Sequence, residues 1–299
     1  MAQVEKVYRY LSKEGEVRVS AVIATGVVEE MRTTLGTYPV ATVVAGRAMI
    51  GSLLMASHMK SGCTVGIYIR SNGPLEKLFV EATHEGSVRA YTPQPNCDVR
   101  KPDGTLDIRG AVGIGLLSVV TRTNAAAQEF SGTVELQTGE VGDDIAYYLM
   151  QSQQVPSVVA LSVSLDSSGR VRCAGGVLVE VMPGAHAKVI ETLETNAANV
   201  KSLTALLESG VAARQLIAPF IKGFDVIELP HDYDLKYDCR CSQEKVENTL
   251  SLLGIETLID MVQERKQTQI NCEFCGKMYY VSPDRLEQIL AEVKRNSLN

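Results

Sequence analysis

The residues of this 299-residue chain best suited to metal or redox chemistry are four cysteines, which form two close pairs near its end. One residue separates Cys239 from Cys241, two residues separate Cys272 from Cys275, and 30 residues lie between the pairs. Thiolates are soft ligands, and four of them in a tetrahedral arrangement select zinc. The spacing therefore predicts a Cys₄ zinc site.

The first pair differs from ordinary structural zinc sites, in which two to four residues separate paired cysteines. In an extended backbone, the two side chains of a Cys-x-Cys segment lie on the same face. We therefore expect Cys239 and Cys241 in an extended segment, with both sulfurs within reach of one metal or of each other. Gly276 follows the second pair and provides the conformation that a tight knuckle turn needs.

Three interpretations of the four cysteines remain open from spacing alone: a structural zinc ribbon, four unligated thiols, or a redox switch in which each pair forms a disulfide and the metal leaves. Zinc supplies about 10–16 kcal/mol in zinc-finger peptides, comparable with the roughly 5–15 kcal/mol stability of a whole domain. Disulfides that close such short loops would contribute only about 1.6–1.9 kcal/mol each. Oxidation would therefore unfold the module that the zinc holds together.

The elements around the cysteines are predicted to be mostly helical. Apolar periodicity indicates helices near residues 243–253 and 255–263, with the knuckle of the second cysteine pair after them. A final helix is predicted from Ser282-Pro283-Asp284, where Ser282 is the N-cap and Pro283 the first helical residue. We assign residues 239–299 to a small C-terminal zinc-binding module.

The first part of the chain, residues 1–178, has the pattern of an α+β domain. Strand-like runs occur at 17–23, 64–69 and 158–163, and one long helix is predicted over 41–59. Gly- and Pro-containing turn signals separate the strands. Short strands that recur without regular intervening helices favour a core domain with a largely antiparallel sheet.

The middle part, residues 179–238, is predicted to be a helical linker. Its apolar residues recur at spacings of three, four and seven residues, and the first set is Val189, Leu193, Val200, Leu203, Leu206 and Leu207. A short helix is predicted after them, with the apolar residues Leu216, Ile217, Phe220 and Ile221. These apolar stripes are thin, and most helical stability comes from packing an apolar face. The helices therefore need a surface to lie on. The acidic stretch 225–238 is predicted to be a connector.

Composition excludes several classes of protein. The net charge of −6 is a poor electrostatic match for nucleic acid or an anionic membrane. The apolar stretch 40–57 contains Arg47 at its middle, so a buried amphipathic helix is expected there rather than a membrane span.

The N-terminus lacks the pattern of a signal peptide, and seven cysteines without an export signal indicate a reducing cytosol. Cys63, Cys97 and Cys173 are expected to be small apolar fillers, with Cys97 the most exposed.

The segment Asp238-Cys239-Arg240-Cys241-Ser242, together with Cys272-Glu273-Phe274-Cys275, resembles the redox-regulated chaperones of the 33-kilodalton heat shock protein family. The similarity continues along nearly the whole chain, in the same order of short motifs. These motifs are Gly46-Arg47, Gly73-Pro74-Leu75, Ser131-Gly132, residues 139–144 and 152–156, Ala174-Gly175-Gly176 and Met182-Pro183-Gly184. Each motif is weak by itself, and their order together with the cysteine pattern makes the match specific.

The resemblance implies a core domain, a metastable linker and a zinc redox-switch domain. It implies that Cys239, Cys241, Cys272 and Cys275 bind one zinc ion in the reduced, inactive form. Under oxidative stress and heat shock, Cys239 would pair with Cys241 and Cys272 with Cys275, zinc would leave, and the module and linker would unfold. The protein would then act as an ATP-independent holdase that binds unfolding client proteins in the cytoplasm. The active form would be a homodimer, and no catalytic residue follows.

Two other functions compete with the chaperone. A zinc-ribbon protein that binds nucleic acid is disfavoured by the acidic net charge and by a module with 8 basic and 9 acidic residues. A thiol-disulfide oxidoreductase could use Cys272 and Cys275, but such motifs usually open a helix in a βαβ unit. Here Gly276 and a strand-like segment follow instead.

Overall fold

The computed structural model describes residues 5–123, 128–230 and 233–296. Two compact units are present, one up to Asp238 and one from Cys239 onward. The fold is α+β with antiparallel sheets, as the sequence predicts. The further division of the first unit at residues 178 and 179 stays a prediction.

The strands of the described residues fall into three sheets. In chain order the described strands are β1 (Val7–Ser12), β2 (Val17–Ile23), β3 (Thr64–Ser71), β4 (Lys77–Thr83), β5 (Ser87–Tyr91), β6 (Gly115–Thr123), β7 (Gln128–Glu135), β8 (Ser157–Leu165), β9 (Val171–Val181), β10 (Val226–Leu229), β11 (Lys236–Tyr237), β12 (Thr268–Asn271) and β13 (Met278–Val281). The three strand-like runs of the sequence correspond to β2, β3 and β8.

Helices connect and cover these sheets. In chain order they are α1 (Thr25–Leu35), α2 (Pro39–Ala56), α3 (Ile108–Val112), α4 (Val141–Gln153), α5 (Ala187–Asn199), α6 (Leu203–Glu208), α7 (Ala213–Ile217), α8 (Gln243–Leu250), α9 (Ile255–Gln263) and α10 (Pro283–Asn296).

Two large sheets form the first unit. The five-stranded sheet has the order β10-β1-β2-β9-β8 and is antiparallel throughout. The six-stranded sheet has the order β11-β5-β4-β3-β6-β7, and its β11–β5 pair is parallel. Helix α2 contacts strands of both sheets, so the main hydrophobic core lies around this helix.

Helix α2 is buried on nearly all sides, and the prediction of an amphipathic helix is wrong. A helix is apolar all round when every face of it meets other elements, and α2 contacts both sheets as well as α1, α3 and α4. Its single charged side chain, Arg47, pairs with Glu140. By length and composition α2 could cross a membrane, but 89% of its apolar window is buried inside the structure.

The linker helices do lie on a surface, as their thin stripes predict. Buried residues of α5, α6 and α7 pack against β1, β2 and β9, where they share a hydrophobic cluster with Tyr10, Val19 and Val177. The chain leaves the helical conformation between α5 and α6, and Ser202 caps α6 through a bond from the Ala205 N–H to its hydroxyl. The periodic pattern thus spans two helices.

The predicted connector at 225–238 contains ordered strands. Strand β10 pairs with β1, and β11 pairs with β5. Sequence reasoning missed both because each is short and lies at a sheet edge, where an acidic, Pro-containing segment can still pair through its backbone.

The second unit has a small core of its own. Leu250, Leu258, Val281, Leu286 and Ile289 are buried in one cluster. The predicted cap of the last helix is present, because the backbone N–H of Arg285 donates to the Ser282 hydroxyl at 3.2 Å. Strands β12 and β13 form a hairpin around the second cysteine pair.

Candidate metal centre

The four paired cysteines lie at the ends of three elements of the second unit. Cys239 and Cys241 precede α8, Cys272 follows β12, and Cys275 precedes β13. Ser242 caps α8 by accepting a bond from the backbone N–H of Lys245, which fixes where the first pair enters the helix. The β12–β13 hairpin likewise fixes the positions of Cys272 and Cys275.

The second pair sits in a tight knuckle. The backbone N–H of Cys272 donates to the Lys277 carbonyl at 2.9 Å, and the Gly276 N–H donates to the Cys272 carbonyl at 2.8 Å. Gly276 has φ of 70°, so the left-handed conformation that the turn needs is carried by the glycine, as predicted. The backbone N–H of Lys277 also hydrogen-bonds the Cys275 sulfur.

The first pair is not in an extended segment, and that prediction is wrong. Arg240, between the two cysteines, has φ of 52°, which is a left-handed conformation. The Nζ of Lys245 donates to the Arg240 carbonyl at 2.6 Å. The first pair therefore forms a turn closed by α8, and no local pattern in the sequence specified this.

The four sulfurs converge on one point. The Cys239 and Cys272 sulfurs are 3.2 Å apart, those of Cys241 and Cys275 are 3.5 Å apart, and all four lie within 4.8 Å of one another. A tetrahedral site with Zn–S bonds of about 2.3 Å has sulfurs separated by about 3.8 Å. The donor set and its size therefore fit a thiolate-binding metal ion.

The hydroxyl of Tyr279 is a further polar group at the site. It donates to the Cys241 sulfur at 2.9 Å, and the Tyr279 side chain is only 5% exposed. Residues of this kind orient and tune metal ligands. Sequence reasoning missed Tyr279, and the only signal was its position as a tyrosine in the strand after the knuckle.

The protonation of the sulfurs depends on their surroundings. Burial raises the pKa of Cys239, contacts with the other three sulfurs raise it further, and burial also raises the pKa of Cys275. Burial opposes ionisation of Cys241, but hydrogen bonds from Tyr279 and the neighbouring thiols outweigh it and lower its pKa to about 7. Four adjacent thiolates repel one another, so a bound cation would favour their common deprotonation.

The other three cysteines are buried in the first unit. Cys63, Cys97 and Cys173 are all less than 9% exposed, consistent with apolar fillers. Cys97 is the most exposed of the three, as expected, but it is still only 7% exposed, because its loop packs on the start of α2 and the Ala41 N–H donates to the Cys97 carbonyl. Burial raises the pKa of the Cys97 thiol, which disfavours its reaction as a thiolate.

Comparisons with known proteins agree over nearly the whole chain. The model of the family described as Hsp33 protein matches residues 5–282. The 33 kDa chaperonin of Synechococcus sp. (strain JA-3-3Ab) is 38% identical over 291 residues, which are 96% of this chain and 90% of that protein. The 33 kDa chaperonin of Desulforamulus reducens is 34% identical over 287 residues, 96% of this chain and 97% of that protein.

A solved structure has the same fold. The crystal structure of the 33 kDa chaperonin (heat shock protein 33 homolog) from Thermotoga maritima superposes with a TM-score of 0.85 at 29% sequence identity. The match covers 98% of this chain and 100% of that one. The similarity therefore includes both units.

Proposed function

The chain belongs to the Hsp33 family of chaperones, and on that basis we propose that it is a redox-regulated, ATP-independent holdase. In the reduced form, Cys239, Cys241, Cys272 and Cys275 bind one zinc ion and the chaperone is inactive. Oxidation closes two disulfides, releases the zinc and exposes surface that binds unfolding proteins. The observation that carries this proposal is the convergence of four sulfurs within 4.8 Å.

The residues of the switch have distinct roles. Zinc, when bound, would keep four sulfurs as thiolates and hold α8 and the hairpin together. The Gly276 knuckle and the Arg240 turn position the paired sulfurs. A thiolate that attacks hydrogen peroxide forms an S–O bond and breaks the O–O bond, which releases hydroxide and leaves a sulfenic acid. The partner thiolate then attacks that sulfur, a second hydroxide leaves, and the disulfide forms.

The energetics favour unfolding after oxidation. The buried core of the second unit consists of few residues, so the metal would supply most of its stability, and structural zinc contributes about 10–16 kcal/mol. The two short disulfides would return only about 1.6 and 1.9 kcal/mol. The module therefore loses its fold when the metal leaves.

Helices α5, α6 and α7 are the next elements to be released. Their buried residues cover an apolar surface of β1, β2 and β9. If unfolding of the zinc module frees these helices, both their apolar faces and the sheet surface become available to unfolded clients. We propose that the active form is a homodimer in the cytoplasm, that it needs no catalytic residue, and that it binds neither nucleic acid nor membranes.

Light scattering of a heat-unfolded client tests the chaperone function. The reduced, zinc-loaded protein and the peroxide-treated protein are compared while a chromogenic chelator follows released zinc. We expect suppression of aggregation only after oxidation, with about one zinc released per chain. Retention of the zinc, or its loss with unchanged aggregation, would contradict the switch and leave a structural zinc ribbon. Reduction of insulin at catalytic rates would instead favour an oxidoreductase.

The disulfide pairing needs a separate test, because the shortest sulfur distances are between Cys239 and Cys272 and between Cys241 and Cys275. Trypsin cleaves after Arg240, Lys245, Lys266 and Lys277, so Cys239 and Cys241 lie on separate peptides, whereas Cys272 and Cys275 share a third. Pairing within each motif joins the first two peptides to each other and leaves the third unlinked, whereas crossed pairing joins both of them to the third. Mass spectrometry of the oxidised, digested protein should find the pairs Cys239–Cys241 and Cys272–Cys275.

A further inference from the structure

Two adjacent tyrosines of β13 have opposite surroundings. Strand side chains alternate between faces, so the Tyr279 ring turns toward the cysteines and is 5% exposed, whereas Tyr280 is 51% exposed. The Tyr279 hydroxyl donates to the Cys241 sulfur at 2.9 Å. The Nζ of Lys277 lies 5.2 Å from the centre of the Tyr279 ring and helps to hold its orientation. The phenol is thus fixed against one particular sulfur.

We propose that Tyr279 is a positioning residue that protects the Cys241 sulfur from electrophiles, so that attack on the oxidant begins at another cysteine of the site. This inference rests on the proposed function, because it concerns the same four sulfurs and their oxidation. A residue that is not a metal ligand would thus influence the order in which the sulfurs react.

The physical basis is that the hydrogen bond from Tyr279 and the attack on the oxidant both use lone-pair electrons of the Cys241 sulfur. Attack on hydrogen peroxide requires a sulfur lone pair to form the new S–O bond while the O–O bond breaks and hydroxide leaves. A hydrogen bond donated to the sulfur withdraws electron density from that lone pair, and the nucleophilicity of the sulfur falls. The Tyr279 hydroxyl donates to Cys241, whereas Cys275 receives a separate bond from the Lys277 backbone N–H that a change at Tyr279 leaves in place.

The substitution Tyr279→Phe removes the hydroxyl and keeps the ring in its buried place. The matched control is Tyr280→Phe, which removes an exposed hydroxyl from the next residue of the same strand. The zinc-loaded full-length proteins are treated with limiting iodoacetamide, whose carbon forms a bond to the attacking sulfur as iodide leaves. Trypsin then separates Cys239 from Cys241 by cleavage after Arg240, so each cysteine can be followed on its own peptide.

We expect the alkylation of Cys241 to be slow in the unaltered protein and equally slow in Tyr280→Phe. In Tyr279→Phe its rate should rise roughly 2- to 10-fold, as the loss of one hydrogen bond allows, while the rates of the other three cysteines stay the same. Zinc release by peroxide should accelerate in the same variant only. Equal acceleration at all four cysteines would show that Tyr279 merely stabilises the fold, and unchanged rates would overturn the proposal.

The alkylation rates do not depend on whether the protein holds clients. A chain that failed to suppress aggregation after oxidation would contradict the holdase function, yet selective acceleration at Cys241 would still support the role of Tyr279. Conversely, a holdase whose Tyr279→Phe variant reacts like the unaltered protein would retain the function and lose this inference. Circular dichroism of both variants checks that their folds and unfolding temperatures match.

Discussion

At the scale of single residues, the turn at Arg240 has the greatest consequence for the metal centre. Its φ of 52° lies in a region that β-branched residues rarely adopt and that glycine enters freely. The left-handed conformation brings both flanking sulfurs into one cluster, although an extended segment would also have placed them on one face. The backbone at this position would therefore contribute to holding a metal at the candidate centre independently of the arginine side chain.

Substitution at Arg240 tests this contribution. Arg240 already bears the cost of about 1–2 kcal/mol that the left-handed conformation imposes on an L-residue, and a β-branched side chain adds to it, so we expect Arg240→Val to weaken zinc affinity by roughly 2- to 10-fold. Arg240→Gly, the control, should retain or raise the affinity, since glycine adopts this conformation without that cost. Competition with a zinc chelator measures both. Equal affinities of the valine and glycine variants would contradict the importance of the turn.

Glu29 provides a pH-dependent contribution to the stability of the first unit. The Arg32 guanidinium donates two bonds to its carboxylate, at 2.8 and 2.7 Å, and these bonds lower the pKa of Glu29 below its usual 4.5. The Val171 N–H, from β9, donates to the same carboxylate at 2.9 Å. The carboxylate thus joins α1 to β9, and its bonds to Arg32 and Val171 are strongest while it is ionised.

We expect Glu29→Gln to reduce the free energy of unfolding by about 1–2 kcal/mol at pH 7. Because the pKa is lowered in the folded state, the contribution is complete above pH 4.5 and disappears as the pH falls through the folded value. The difference between the two proteins should therefore shrink in acid. Denaturant unfolding at several pH values measures it, and the exposed neighbour Glu30→Gln should show a much smaller difference at every pH.

At the scale of elements, the linker helices show how polar residues take part in docking. Asn196, in the apolar stripe of α5, is buried and donates to the carbonyls of Phe220 at 3.1 Å and Lys222 at 2.9 Å. The side chain thereby fastens α5 to the segment after α7. The thin stripe of the sequence is thus supplemented by a polar contact that periodicity does not reveal.

Weakening this docking should release the helices before the rest of the unit. Leu193 is 3% exposed and belongs to the cluster between α5 and the sheet, so Leu193→Ala should cost about 2–5 kcal/mol locally. Hydrogen exchange should accelerate in α5–α7 while β2 and β9 keep their protection. The exposed neighbour Glu194→Ala serves as the control. Uniform acceleration over the whole first unit would show that the helices unfold only together with it.

At the scale of the whole molecule, the two units differ in what stabilises them. The first has a large core around α2, whereas the described part of the second has a single cluster with five buried residues. Units with so small a core usually depend on metals or disulfides. The second unit is therefore the part of the protein whose fold should respond to the state of its cysteines.

Removal of the metal from the reduced protein should unfold the second unit while the sheets of the first unit keep their fold. With a strong chelator, amides of α8, α9 and α10 should exchange rapidly, while those of β2 and β9 remain protected by the core of the first unit. Zinc added back in excess should restore protection. Continued protection of α10 after chelation would show that its packing, and not the metal, holds the unit together.

The sequence determined the features that depend on local pattern. Alternation and periodicity predicted β2, the long helix α2 and the Ser282 cap, because side-chain spacing fixes which face is apolar. The order of short motifs and the spacing of four cysteines identified the family and a candidate metal centre. These properties are carried by residues close together in the chain.

Only the tertiary structure decided features that depend on what packs against a segment. Both sheets contact α2 and bury nearly all its faces, β1 supplies the partner that makes β10 a strand, and the Cys97 loop packs on the start of α2. The conformation of Arg240 and the contact of Tyr279 with Cys241 likewise require elements that the fold brings together. Such outcomes arise from long-range packing and hydrogen bonding, which override local propensity.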